Sequence, residues 1–359
     1  MEYELLGRSG AVVSRFGLGA MGFGDDPDEE TAFALLDGFV AAGGTLVDTA
    51  DVYGDGRSEQ VVGRWLASRP ADVTTRLTIA TKGRYPSWAA NDPAAGGLSR
   101  QHLSRALDAS LRRLGVETID LYQAHAWDPL TPLEETLAFL DAAVRQGKIR
   151  YYGLSNFTGW QLQKTVERAA GSELERPVTL QLQYNLLARQ VEWEITPSAT
   201  DAGLGLLPWS PLAGGLLTGK YEQSVAPAQG TRFAAEAASG FGSYFRSYSG
   251  DERTWTILGT LREVAAERGV TPAEVALAWV ADRPGVSAVI VGARTLDQLD
   301  QNLRAAELHL DPEETARLDS VSEPAAADYP YGAFGSFQRS RTIGPRPVIP
   351  PELLAETTA

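Results

Sequence analysis

Eight short apolar or β-branched runs recur along the chain, each followed by a stretch of helical periodicity, and this alternation constrains the fold more than any other feature. The runs are 14–19, 46–50, 77–82, 119–125, 149–156, 179–185, 204–210 and 286–293, with helical stretches such as 30–42, 99–114, 132–146, 254–268 and 295–306 between them. Helix starts are marked: Thr271-Pro272-Ala273-Glu274 offers a cap, a proline at the first helical position and a glutamate at the third. Strands separated by helices pair in parallel through right-handed crossovers, and eight of them close into a (β/α)8 barrel, an α/β architecture whose rival is an open doubly wound sheet. The polar residues separate the two, because a barrel gathers its chemistry at the carboxyl ends of many strands. Asp48, Lys82, His125, Ser155, Asn156, Gln183 and Ser210 all lie at or near the end of an apolar strand. The expected organisation is one barrel domain over 1–322, with a Gly, Ser and Ala-rich insertion at 222–251 and a Pro and Arg-rich tail over 323–359. Insertion and tail each read either as a flap over the barrel mouth or as a surface segment.

Gly17-Leu18-Gly19-Ala20-Met21-Gly22 satisfies the G-x-G-x-x-G spacing after a strand, the dinucleotide fingerprint of an open sheet. That fingerprint needs a helix to begin within the motif, so that its amino end meets pyrophosphate. Here Phe23-Gly24-Asp25-Asp26-Pro27 intervenes, and two aspartates repel a phosphate, so the segment reads as a tight loop beside the barrel mouth.

Composition removes whole classes of function. With 46 acidic against 32 basic residues and a formal charge of −14, the surface repels nucleic acid and anionic membrane on average. The absence of cysteine excludes disulfides, thiolate metal sites and a Cys nucleophile, and three scattered histidines, His102, His125 and His309, do not make a metal cluster. The chain opens Met-Glu-Tyr-Glu without a basic or apolar leader, and no run approaches about 18 apolar residues, so the cytoplasm is the expected compartment. Self-association is left open.

Reduction of a carbonyl by hydride needs a proton donor on the same oxygen, and a tyrosine serves if a neighbouring ammonium acidifies it. At about 4 Å and an effective dielectric near 20 that attraction is roughly 4 kcal/mol, which on paper brings a phenol from about 10 to near neutrality. Tyr53 lies just beyond the second strand. Lys82, one of four lysines in the chain, ends the third; Asp48 can hold it charged, and His125, ending the fourth, can orient the carbonyl. A lone strand-end Asp or His is more often structural, but this joint placement points to catalysis.

These residues carry a resemblance to the aldo-keto reductase family, close to the bacterial members related to potassium-channel β subunits. Asp48-Thr49-Ala50-Asp51-Val52-Tyr53-Gly54 with Ser58-Glu59, Thr81-Lys82 and Gln123-Ala124-His125 resemble the segments bearing the family's Asp, Tyr, Lys and His. The resemblance continues through Gly153-Leu154-Ser155-Asn156, Gln181-Leu182-Gln183-Tyr184-Asn185, Trp209-Ser210-Pro211-Leu212 and Gly292-Ala293-Arg294. It implies the barrel fold, NADPH/NADP+ as cofactor and no metal.

It also implies roles. Ser155, Asn156 and Gln183 would hydrogen-bond the nicotinamide carboxamide and Tyr184 would stack beneath the ring, near Trp209. Ser210, Leu212, Gly214 and Leu216 would follow the pyrophosphate, with Lys220 adding positive charge. Beyond Gly292, Arg294 would grip a 2′-phosphate, and Gln298 and Asn302 would face the adenosine; the family often carries Glu where Gln301 stands. Met21, Phe23, Tyr85, Trp88 and Trp127 would form an aromatic substrate pocket for a small-molecule carbonyl compound, a keto sugar or a secondary metabolite. Two other functions compete: an NADP(H)-binding regulatory subunit with slow residual reductase activity, and a metal-dependent lyase or isomerase, which needs a carboxylate cluster the sequence lacks.

Overall fold

The computed structural model describes residues 1–86, 92, 94–226, 233, 247–343 and 346–348. A hairpin of β1 (Tyr3–Leu5) and β2 (Val12–Ser14) precedes eight strands: β3 (Phe16–Gly19), β4 (Leu46–Asp48), β5 (Thr78–Gly83), β6 (Ile119–Ala124), β7 (Ile149–Ser155), β8 (Thr179–Gln183), β9 (Gly205–Trp209) and β10 (Val289–Val291). They form one parallel sheet in the order β10-β3-β4-β5-β6-β7-β8-β9. Its edges meet through a parallel bridge between Leu206 and Val286, where Ser287 N donates to Leu206 O at 2.9 Å, so the sheet curls into a nearly closed (β/α)8 barrel.

The helices are α1 (Glu29–Ala41), α2 (Arg57–Ser68), the one-turn α3 (Ala71–Thr74), α4 (Arg100–Leu114), α5 (Leu133–Arg145), α6 (Gly159–Gly171), α7 (Ile195–Ala202), α8 (Glu252–Arg268), α9 (Pro272–Ala281), α10 (Leu296–Arg304), α11 (Pro312–Ser322) and α12 (Ala333–Arg339). Their ends follow local chemistry. The capping box expected at Thr271 and Glu274 starts α9, Ser99 caps α4 by accepting from His102 N, and Gly115 ends α4 in the left-handed conformation. The buried stripe Leu103, Ala106, Leu107, Ser110 and Leu114 faces inward at helical spacing.

Packing divides into two apolar layers. Leu46, Ala80, Leu121, Leu207, Ala288 and Ile290 fill the barrel lumen, and a larger cluster lies between the strands and the helices. Leu6 and Val13 of the hairpin are fully buried in the lumen cluster and plug the amino-terminal end. Gly7, at φ +58°, permits this, since a Cβ there would stand 2.2 Å from Val178 O. The run read as one strand over 14–19 is therefore two: Ser14 Oγ donates to Phe16 O at 2.6 Å, the chain turns at Arg15, and Val12–Ser14 pairs with β1 instead of the barrel. Tyr331 stacks on Trp193 of the loop after β8, with ring centres 5.1 Å apart. Most of the 222–251 insertion lies outside the described residues. Among those residues no helix is long and apolar enough to cross a membrane.

Candidate active site

β4 and β5 pair in register with Asp48 opposite Ala80, which sends the Asp48 and Lys82 side chains into the carboxyl-end mouth from adjacent strands. Lys82 is fully buried, and its Nζ donates to Asp48 Oδ2 at 2.7 Å, to Thr49 O at 2.7 Å and to Tyr53 Oη at 3.2 Å. Asp48 Oδ1 accepts from Gln181 Nε2 at 2.8 Å and Gln123 Nε2 at 3.3 Å, so both carboxylate oxygens are committed. The Tyr53 ring meets the His125 ring edge-on at 5.8 Å between centres. The four residues expected to act together thus share one site.

The electrostatics differ from expectation at one point. Although burial opposes its charge, Asp48 and Tyr53 hold the Lys82 amine above its ordinary pKa, so it stays an ammonium. The Tyr53 phenol lies above its ordinary value, not near neutrality, because enclosure by protein outweighs the opposing pull of Lys82. Asp48, within hydrogen-bonding distance of the same ammonium, cancels much of the field that was expected to acidify the phenol. Burial, with the charges of Lys82 and Arg84, pushes His125 down to about 2, so its imidazole is neutral. The phenol therefore holds its proton at neutral pH, and the imidazole beside it acts as a hydrogen-bonding group.

Beyond the four lies a layer that the sequence reading gave no role. Gln123 and Gln181 stood in the sequence only as members of the family-like segments, and they orient Asp48. Asp51, two residues before Tyr53, has a buried Oδ1 with no hydrogen-bond partner and is pushed up to about 7, by burial first and then by Glu59. Glu59 is itself fully buried on Thr81 Oγ1 and Arg113 Nε, each at 2.6 Å.

At the ends of β7 and β9, Asn156 takes a positive φ of 56°; its Nδ2 donates to Ser155 Oγ at 3.0 Å and His125 O at 2.9 Å, and its Oδ1 accepts from Trp209 Nε1 at 3.1 Å. Ser210, also at positive φ, is fixed by Asn185 Nδ2 donating to its carbonyl at 2.8 Å. Gln183 is half-buried in register with Trp209. Tyr184 is displaced from its expected place: its ring is 2% exposed, packs edge-on against Trp279 and donates its hydroxyl to Glu192 at 2.7 Å. A side chain committed to that pocket does not offer a face to a ligand, and Trp209 is the aromatic ring standing beside Asn156.

After β9, Gly214 and Gly215 have φ of 67° and 100°; the Phe233 ring closes over Gly214, where a Cβ would stand 2.7 Å from it, and Leu216 is buried. Among the described residues a Cβ on Gly215 would meet only Lys220, at 3.5 Å from Nζ. The Lys220 amine is lowered by burial and by the charge of Arg294, which brings two cations to one place. Arg294 also reaches Asp26 at 3.2 Å, and its backbone N–H donates to Gln298 Oε1 at 2.9 Å. Asn302 is buried and its Nδ2 donates to Gly292 O at 3.2 Å, which helps hold the loop before α10. Two converging cations beside Gly215 and the start of α10 suit a polyanionic ligand.

Of the expected substrate-pocket residues, Met21 is exposed, Tyr85 meets His125 edge-on at 4.9 Å, and Trp127 packs at 5.4 Å against both Phe157 and Trp160. Phe23 is a correction: its N–H bonds back to Ala20 O, and the turn buries the ring in the outer core. Trp88 lies outside the described residues. Among those residues no group of His, Asp and Glu is arranged to hold a metal ion.

A barrel with a neutral imidazole, a phenol and a carboxylate-paired ammonium at its carboxyl-end mouth is the framework of an oxidoreductase acting on carbonyl groups. The chain belongs to the Aldo/keto reductase family, whose match covers residues 15–323. It is 39% identical to the uncharacterized oxidoreductase YrpG of Bacillus subtilis, over 89% of this chain and 96% of that protein. It is 37% identical to a probable voltage-gated potassium channel subunit beta of Oryza sativa, over 89% and 96%, and 34% identical to L-glyceraldehyde 3-phosphate reductase of Escherichia coli O157:H7, over 89% and 92%.

Proposed function

We propose that the protein reduces an aldehyde or ketone to the alcohol with NADPH, and that Tyr53 is the proton donor. The observation that carries this reading is the single ammonium of Lys82, held between Asp48 Oδ2 and Tyr53 Oη inside the mouth. A bound nicotinamide supplies hydride to the carbonyl carbon. The oxygen then gains negative charge, and Tyr53 hands it the phenolic proton while Lys82 stabilises the phenolate left behind. His125, kept neutral, donates a hydrogen bond to the same oxygen and aims it at Tyr53. Trp209 would be the platform for the nicotinamide ring, and the remaining lone pair of Asn156 Oδ1, with Ser155 and Gln183, would meet its carboxamide. Ser210, Leu212, Gly214 and Leu216 would pass the pyrophosphate along their backbone, and Lys220 with Arg294 would neutralise the 2′-phosphate.

The similarity to channel β subunits supports a second reading, a nucleotide-binding regulatory subunit with slow residual turnover. Steady-state reduction of 4-nitrobenzaldehyde separates the two. Multiple turnovers per second with NADPH, and a much higher Michaelis constant for NADH, fit the first; turnover of only a few per hour fits the second.

A further inference from the structure

We propose that Arg84 is a substrate anchor and that the site favours carbonyl compounds bearing an anionic group, a carboxylate or a phosphate. The proposal rests on the reductase reading and adds a substrate class to it. Arg84 follows β5 directly, two residues after Lys82, so its backbone is fixed by the same strand end. Its Nε donates to Trp127 O at 3.2 Å, and its guanidinium lies 4.8 Å from the centre of the Tyr85 ring, the ring that meets His125 at 4.9 Å.

Among the described residues no carboxylate pairs with this half-buried guanidinium. Arg15, Arg113, Arg189 and Arg283 each hold one, as partly buried arginines ordinarily do. Asp128 feels the charge of Arg84, but its oxygens are taken by Leu98 N, Leu130 N and Thr131 Oγ1. Among the described residues the terminal nitrogens of Arg84 thus have no acceptor and suit a bidentate contact. Lys164 stands 6.0 Å from the centre of the Trp127 ring and 5.9 Å from that of Trp160, so a second positive charge lies near the residue whose carbonyl Arg84 holds. In a chain of charge −14, the Arg84 guanidinium, whose charge reaches a histidine that must stay neutral, favours an incoming anion.

The test compares kcat/KM for two matched pairs, 4-carboxybenzaldehyde against methyl 4-formylbenzoate and glyceraldehyde 3-phosphate against glyceraldehyde, in the unmodified enzyme, Arg84→Gln and Arg84→Lys. The unmodified enzyme should prefer the anionic member of at least one pair by about tenfold or more. Arg84→Gln should bring that ratio within about twofold, mainly through the KM of the anionic member, with Arg84→Lys intermediate. The favoured pair identifies the anion. No anionic preference with normal turnover of the neutral compounds, or a preference that survives Arg84→Gln, overturns the anchor alone. Turnover of none of the four compounds contradicts the reductase reading and the anchor with it.

Discussion

The two ends of the barrel treat charge differently. At the amino-terminal end Arg15, 4% exposed, donates to Asp282 at 2.5 Å, to Glu2 at 3.2 Å and to Ala306 O at 3.1 Å, while His309 bridges Asp282 at 2.8 Å and Glu2 at 3.1 Å. That cluster ties the plugging hairpin to α9 and saturates its charges. At the mouth, Asp51 Oδ1, Gln123 Oε1 and His125 Nδ1 are buried without hydrogen-bond partners around the Lys82 ammonium. Polarity left open costs stability and is retained where a ligand meets it; polarity fully paired holds the fold together.

The largest effect should come from breaking the buried Lys82–Asp48 ion pair at the mouth. Lys82→Met leaves the Asp48 carboxylate buried and uncompensated, with an expected loss of about 3–5 kcal/mol in denaturant unfolding and about 10³-fold or more in carbonyl turnover. Next is Asp51→Asn. A carboxyl raised to about 7 is neutral and stabilising below its unfolded value, and that contribution is lost as pH rises through about 7. Stability of the unmodified protein should therefore fall between pH 5 and pH 8. The variant should flatten this dependence and be more stable at pH 8, by on the order of 2–4 kcal/mol in urea titrations. The smallest effect belongs to the other end. Hydrogen bonds to Glu2 and Asp282 raise His309, so its contribution is complete below about 6.5 and fades as pH climbs through the higher folded value. His309→Gln, at an exposed pair, should cost under about 1 kcal/mol at pH 6 and less at pH 9, with turnover unaltered.

The barrel was legible because its signal is repeated: eight apolar runs separated by helical periods leave few topologies, and polar residues at strand ends mark the mouth. Asp48, Lys82, Tyr53 and His125 were legible for the same reason. What escaped depends on packing that local pattern does not encode. Tyr184 and Trp209 are both aromatics at strand ends, and only the pocket formed by Trp279 and Glu192 decides which ring turns inward. Phe23 is lost to the core through one loop hydrogen bond. The acidity of Tyr53 was misjudged because a pairwise estimate with Lys82 omits both enclosure and the Asp48 charge that shields it. Arg84 carried no pattern at all; it stands out only once Asp128, the carboxylate its charge reaches, is seen to be engaged elsewhere.

The central claim, that the phenol at the mouth delivers the proton, is tested most directly in Tyr53→Phe. Nucleotide affinity, followed by quenching of tryptophan fluorescence, should stay within about twofold, while reduction of 4-nitrobenzaldehyde should fall by about 10²- to 10⁴-fold. A variant that binds the nucleotide and reduces the aldehyde at the unmodified rate contradicts the account.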